Sequence, residues 1–337
     1  MSRSAALKRR WASLSMMLAS GFAGLGYQIV WTEQSSLWLG HESAGVLSVL
    51  AAFFGGLAIG GLLLGERIER SARPVRVYAA CELVIAAWSL LLLWIAPPFS
   101  AWVLRSMGVQ PSPLWHWLLV FGACFWLFLP ATAAMGATLP AMERLASLVH
   151  RDGRSIAALY AMNTLGAVLG VLGAAFWLIP ALGLAHSALL CAALNLSCAV
   201  IAWIVFGKTE ELPNRSPTPS KARSSARGAL ARLALSGFLG IGYEVLVVRV
   251  LSQVTENTVY TFALLLAVYL VGSAAGAASY ARWLSLRDNH ELLGDRLFLA
   301  LAGACLASTA ILYAAEPVRA FAAEALGGGL VAAIAAE

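Results

Sequence analysis

Charge is what this sequence has least of. Asp, Glu, Lys and Arg make up only 12% of its 337 residues, against 60% hydrophobic residues and a mean hydropathy of +0.78. A soluble domain carries about a quarter charged residues. Half that share cannot clothe a water-facing surface, which excludes a soluble globular enzyme and a disordered chain. Cysteine is scarce as well. The five (Cys81, Cys124, Cys191, Cys198, Cys305) all fall within apolar runs, with no metal-ligand spacing and no disulfide framework. The five histidines are scattered. No cluster points to a metal and no nucleophile–base pair points to hydrolysis. The net charge of +6 does not point to nucleic acid, because the basic residues sit in short loops between apolar runs. No cofactor, metal or nucleic-acid partner is therefore expected.

What the chain does have is long apolar runs. Crossing roughly 30 Å of hydrocarbon takes about 20 helical residues. Such runs lie at about 12–32, 44–65, 77–96, 115–140, 155–179, 185–206, 229–250, 258–281 and 295–315. They predict an all-α, polytopic transmembrane helical bundle of about nine spans in contact with membrane lipid, since lipid cannot satisfy open backbone groups. Unbroken runs of this length do not fit a transmembrane barrel. Trp11 and Trp31, twenty residues apart, are expected at the two interfaces of the first span. Pro130 and Pro140 bracket a stretch where a kink or broken helix is expected.

The loops set the orientation. Alternate loops carry 20 of the 23 Lys and Arg, beginning with Arg3, Lys8, Arg9 and Arg10. The opposite loops carry only Arg105, Arg249 and Arg319. By the positive-inside rule the rich side, with the amino terminus, is cytoplasmic in an inner (plasma) membrane. The opening Lys-Arg-Arg-Trp resembles a secretory signal, but the run after it is a full span long and reads as a topology anchor.

The chain also repeats itself. Ser20-Gly21-Phe22-Ala23-Gly24-Leu25-Gly26-Tyr27-Gln28 matches Ser236-Gly237-Phe238-Leu239-Gly240-Ile241-Gly242-Tyr243-Glu244 at a constant offset of 216. The register continues to Gly56, Ala58 and Gly60, which match Gly272, Ala274 and Gly276. Six spans separate the copies, so both run the same way through the membrane. This parallel repeat is similar to that of major facilitator transporters. It divides the chain into a first six-helix repeat (1–206), a flexible basic cytoplasmic linker (207–228), and a second repeat (229–337) of three helices and a truncated fourth. Residues 316–330 correspond to an outer loop. Either the protein stops at nine spans or this chain is part of a longer product. Gly65-Glu66-Arg67-Ile68-Glu69-Arg70 resembles a degenerate form of the major facilitator loop between the second and third helices.

Four motifs taken together resemble a family. They are Gly24-Leu25-Gly26-Tyr27-Gln28-Ile29-Val30-Trp31, the stretch Pro130–Pro140 (PATAAMGATLP), Leu159–Ala167 (LYAMNTLGA), and Gly242-Tyr243-Glu244-Val245-Leu246. They resemble the membrane region of the fused spermidine synthase-like proteins, in which a major-facilitator-like region precedes an aminopropyltransferase domain. The resemblance implies a link to polyamines. It implies a polyamine or similar cationic small molecule, and a synthase domain or other membrane subunit, as partners. This chain departs from the family in the first helix, where Gln28 replaces the acid, whereas the second copy keeps Glu244 and Arg249. Gly327-Gly328-Gly329 has only eight residues after it and reads as a loop, not a nucleotide site. Spermidine synthase-like activity is therefore expected only if a catalytic domain lies downstream.

Ionisable groups inside a membrane are costly, which makes each a functional hypothesis. Glu244 lies mid-span and Arg249 sits five residues on, near the outer interface. The two readings of Glu244 are a partner for a cationic ligand and a neutral interhelical hydrogen bond. The repeat suggests that Tyr27, Gln28, Tyr243 and Glu244 line a space between halves, with Asn163 as a further substrate-binding candidate. Glu82 and Asn195 read as structural, Glu82 by snorkelling to the interface or meeting an Arg of the 67–76 loop. Gly56/Gly60, Gly61/Gly65 and Gly166/Gly170 predict close helix packing. The leading expectation is a membrane module that moves a polyamine-like cation or delivers it to a synthase domain. The alternatives are a membrane anchor or assembly subunit, and the membrane part of an aminopropyltransferase.

Overall fold

The computed structural model describes residues 3–39, 43–146, 153–207, 220–254, 259–279 and 290–325. Among them nearly all residues are helical and none lies in a strand. The helices are α1 (Arg3–Leu39), α2 (Ser43–Glu69), α3 (Pro74–Met107), α4 (Pro113–Ala146), α5 (Gly153–Gly173), α6 (Ile179–Phe206), α7 (Ser220–Val254), α8 (Val259–Ser279), α9 (His290–Tyr313) and α10 (Ala315–Ala325). Helices close every backbone bond within one segment, the only solution besides a barrel for a chain this apolar. Eight stretches among the described residues are long and apolar enough to cross a membrane. They mark a multi-span membrane protein.

Eight differs from nine for one local reason. The fifth and sixth apolar runs join into a single stretch, Ala158–Phe206, of 49 residues. At about 1.5 Å per residue this is roughly 73 Å, more than twice the hydrocarbon thickness. A π-helical turn at Ala174–Leu178 links α5 to α6, Pro180 opens α6, and Gly183 breaks the run with φ 75° and ψ 173°. Only glycine adopts that backbone without strain. The chain therefore bends without a loop, and a count by length merges the two runs.

Packing divides the chain into two units, residues 1–215 with 266–281, and residues 216–265 with 282–337. In the first, α1 packs on α5 and α6, α2 on α4, and α3 on α4 and α6. Lipid tails are as apolar as Leu, so close backbone approach has to hold such a bundle together. Glycine provides it. A methyl group on Gly21, Gly166 or Gly170 would collide with the backbone carbonyl of Asn163, Leu18 or Phe22 respectively, which locks α1 to α5. Gly56 meets Thr132, Gly60 meets the Ala133 carbonyl, and Gly136 meets the Leu57 carbonyl, which locks α2 to α4. Gly65 approaches nothing. The Trp88 indole N–H donates to the Leu127 carbonyl at 2.8 Å and ties α3 to α4.

Three expectations are corrected here. Trp31 is not a lipid-facing anchor. It is buried, stacked on Tyr27 (5.3 Å between ring centroids) and on Phe128 (4.8 Å), because α4 presents an aromatic face to α1. Trp11 is exposed. Next, α4 runs unbroken through Pro130 and Pro140. The carbonyls that Pro130 and Pro140 leave without an i−4 donor are those of Trp126 and Gly136, while the Thr132 and Thr138 hydroxyls fold back onto the Phe128 (2.9 Å) and Met135 (2.7 Å) carbonyls of the same helix. Lastly, α7 begins at Ser220, inside the segment assigned to a flexible linker. Past Pro219 the run Lys-Ala-Arg-Ser-Ser-Ala-Arg is dominated by good helix formers. Residues 208–219 and Gly327-Gly328-Gly329 lie outside the described residues.

In the second unit α7 contacts α9 and α10. The Tyr243 hydroxyl reaches the Cys305 carbonyl of α9 at 3.5 Å. Of residues 316–330, assigned to an outer loop, those up to Ala325 lie in the helix α10 instead. Its Ala and Glu content favours a helix once the proline of the segment stands in the first turn.

Candidate functional site

Among the described residues two acids are buried in membrane-spanning helices, one in each unit. In the second unit the acid is Glu244. Its relative exposure is 5%, and among the described side chains of α7 it alone is buried. Neither carboxylate oxygen has a hydrogen-bond partner. Its helix neighbours Ile241, Gly242 and Leu246 are exposed. This inverts a soluble helix and fits a lipid-facing one, where apolar side chains meet acyl tails and the acid turns inward. Arg249 is exposed and places no hydrogen bond on Glu244. Tyr243 is half-buried and held by α9.

The first unit holds the other predicted residues that bear on a site. Tyr27 and Gln28 are buried in α1. The Gln28 amide nitrogen and the Thr32 hydroxyl have no partner, and Ser35 on the same face of α1 meets Cys124 of α4. Asn163 packs instead at the α1–α5 contact, with its carbonyl against Gly21. Glu82 is fully buried in α3. It neither snorkels nor meets an arginine. The Asn195 amide donates to its carboxyl across α3–α6 at 2.6 Å. The reason is the register of α3, which points Tyr78, Glu82 and Ser89 at α1 and α6, away from the 67–76 loop.

A polar seam results that the sequence reading missed. Tyr78, Glu82 and Ser89 recur at i, i+4 and i+11 on α3, and Cys191, Asn195 and Cys198 at i, i+4 and i+7 on α6. Ser20 and Tyr27, seven apart, complete it from α1. Tyr78 and Ser20 face the Glu82 carboxyl, and Tyr27 faces Ser89. Helical spacing was the available signal. It was masked because each residue, taken singly, is ordinary membrane packing.

The structure thus places Tyr27 near Glu82, which pairs with Asn195, and joins Tyr243 to α9 through Cys305. Gln28 and Glu244, the repeat-related pair, occupy different units. All five cysteines are free. Among the described residues no group of His, Cys, Asp or Glu is arranged to hold a metal. Chemically, a lone buried carboxylate with no internal donor takes a cation, a proton or water. Compared against protein families, characterised proteins and solved structures, the chain finds no match.

Proposed function

We propose that this protein is a transporter-like module of the inner membrane, with nine crossings and a cytoplasmic amino terminus, that moves or delivers a polyamine or similar organic cation. In this reading the two halves are parallel repeats of a major-facilitator-like design. The continuous stretch Ala158–Phe206 supplies two of the crossings through its break at Gly183. The observation that carries the reading is Glu244, the one buried side chain among those described on α7, an acid with no hydrogen-bond partner. A flexible polyammonium chain suits such a group. One ammonium pairs with the carboxylate, while the methylene segments lie against the apolar walls of a membrane bundle. Tyr243 and Arg249, on the same helix as Glu244, remain candidate contacts of the cation; Tyr27, Gln28 and Asn163 belong to the first unit. The polyamine class rests on the family resemblance of the motifs. The test is uptake of labelled spermidine by proteoliposomes holding the full chain. Uptake that exceeds empty vesicles and falls at least tenfold in Glu244→Gln supports the role. Equal uptake by wild type and variant removes it.

A second reading has its own support. Gly237, Gly240, Gly242, Gly272 and Gly276, repeat partners of glycines in the first half, have nothing within 4 Å of the place an added methyl group would occupy. Faces of this kind suit a membrane anchor or assembly subunit, or the membrane part of a larger aminopropyltransferase, whose further helices would cover them. Copurification of a stoichiometric membrane partner, with no stabilisation by spermidine, would favour it over transport.

A further inference from the structure

The Glu82–Asn195 contact has a distinctive hydrogen-bond balance. The Asn195 Nδ2 donates to Glu82 Oε2 at 2.6 Å. The two atoms left over are Glu82 Oε1 and Asn195 Oδ1, and neither has a partner. Both are acceptors when Glu82 is ionised, so nothing in the pair can satisfy either. One proton on Oε1 changes this. A carboxylic acid and a primary amide pair through two bonds, amide N–H to acid C=O and acid O–H to amide C=O. The first of these bonds is present, and a proton on Oε1 supplies the donor that the second requires.

The surroundings favour the protonated pair. Glu82 is fully buried, and the titratable groups that face it are phenols and thiols, which are ordinarily neutral at pH 7. They are Tyr78 and Cys81 on its own helix, Tyr27 on α1 and Cys198 on α6. Along α6 there is no charged residue. On α4, Cys124 faces Ser35, and His116, Glu143 and Arg144 lie near the helix ends. Arg9 of α1 stands over the Phe206 ring at the far end of α6. Among the described residues no cation is positioned to neutralise a carboxylate here, and an unpaired charge at this depth is costly.

We infer that Glu82 and Asn195 form a proton-holding site in the core of the first unit, with the proton carried on Glu82 Oε1 and donated to Asn195 Oδ1. Release breaks the O–H bond, leaves its electron pair on the carboxylate and hands the proton to water. It leaves two acceptors on the pair, with the Tyr78 and Ser20 hydroxyls as the donors that remain beside the carboxyl, and the proton departs to water admitted between α1, α3 and α6. The hydroxyls of Tyr78, Ser20, Tyr27 and Ser89 continue the seam and give entering water its hydrogen-bond partners. This site is separate from Glu244 and independent of any polyamine.

The test is infrared spectroscopy of the full chain in lipid, in a Glu244→Gln background that removes the other buried acid. A protonated carboxylic C=O band at neutral pH that shifts in D2O and vanishes on Glu82→Gln supports the site. So does a Glu82→Gln thermal midpoint within a few degrees of its parent, because Gln and Asn make the same two bonds without an ionisable proton. If the Gln variant fails to fold, Asn195→Ala serves: the acid band then moves to higher frequency as its hydrogen bonds are lost. Absence of any protonated-acid band at neutral pH that responds to Glu82→Gln or to Asn195→Ala overturns the inference.

Discussion

Helices α1 and α7 carry the same Ser-Gly-Phe-x-Gly-x-Gly-Tyr pattern, yet 67% of the apolar window of α1 is buried and 11% of that of α7. The next pair, α2 and α8, stand at 39% and 22%, and α3 and α9 at 44% and 0%. Local sequence sets the helices in both halves. Burial is set by partners, and in the first half these are α4, α5 and α6. A membrane helix gains little from hiding apolar surface, because its solvent is already apolar. Small residues instead mark where another backbone fits. Gly56 and Gly60 lie against α4, whereas Gly272 and Gly276 have no such neighbour. The polar residues follow the same logic. The first half closes around an acid paired with an amide, and the second exposes apolar side chains around an acid with no partner.

Substituting the matched glycines breaks this comparison most sharply. Gly60→Leu forces α2 off α4 and should cost at least about 3 kcal/mol, the upper range for overpacking. Gly276→Leu, its repeat partner, meets nothing within 4 Å and should not destabilise, with helix propensity favouring it by up to about 1 kcal/mol. Thermal unfolding in detergent micelles reads both, and equal losses would mean the two faces are packed alike. The matched tyrosines come next. Tyr27→Ala opens a cavity beside Trp31 and should cost about 3–5 kcal/mol. Tyr243→Ala, half-buried, should cost at most about 2 kcal/mol, as its smaller buried area requires. The reverse order in chemical unfolding would contradict the account.

Within the first half, Glu82→Leu strands the Asn195 amide and should cost about 1–3 kcal/mol, the penalty of an unsatisfied buried polar group. A neutral or stabilising result in the same unfolding assay would mean the seam is dispensable. The smallest effect belongs to Gly65→Ala. Nothing lies near Gly65, and helix propensity alone should stabilise by about 0.5–1 kcal/mol. Destabilisation there would reveal a contact that this fold does not contain.

Much of this fold is legible in the sequence. Run length marks the helices, and Gly-x-x-x-Gly spacing marks the α1–α5 and α2–α4 contacts, because both depend on periods within one segment. The joining of the fifth and sixth runs is not legible, since Pro180 and Gly183 read equally as a loop or as a bend within a helix. Trp31 misleads because an aromatic twenty residues from another fits an interfacial belt and a core stack alike. Of the site, Glu244 stands out by position alone, as an acid in an apolar run. Glu82 does not, for its meaning depends on Asn195, 113 residues away. Only the packing of α3 on α6 brings the two together.

Equilibrium binding of labelled spermidine to the purified full chain in lipid, comparing wild type with Glu244→Gln and Glu244→Asp, tests the central claim most directly. The account predicts saturable binding by wild type, loss of at least tenfold in affinity with Gln, and partial retention with Asp, which keeps the charge. Binding that is indifferent to the Gln substitution would contradict it.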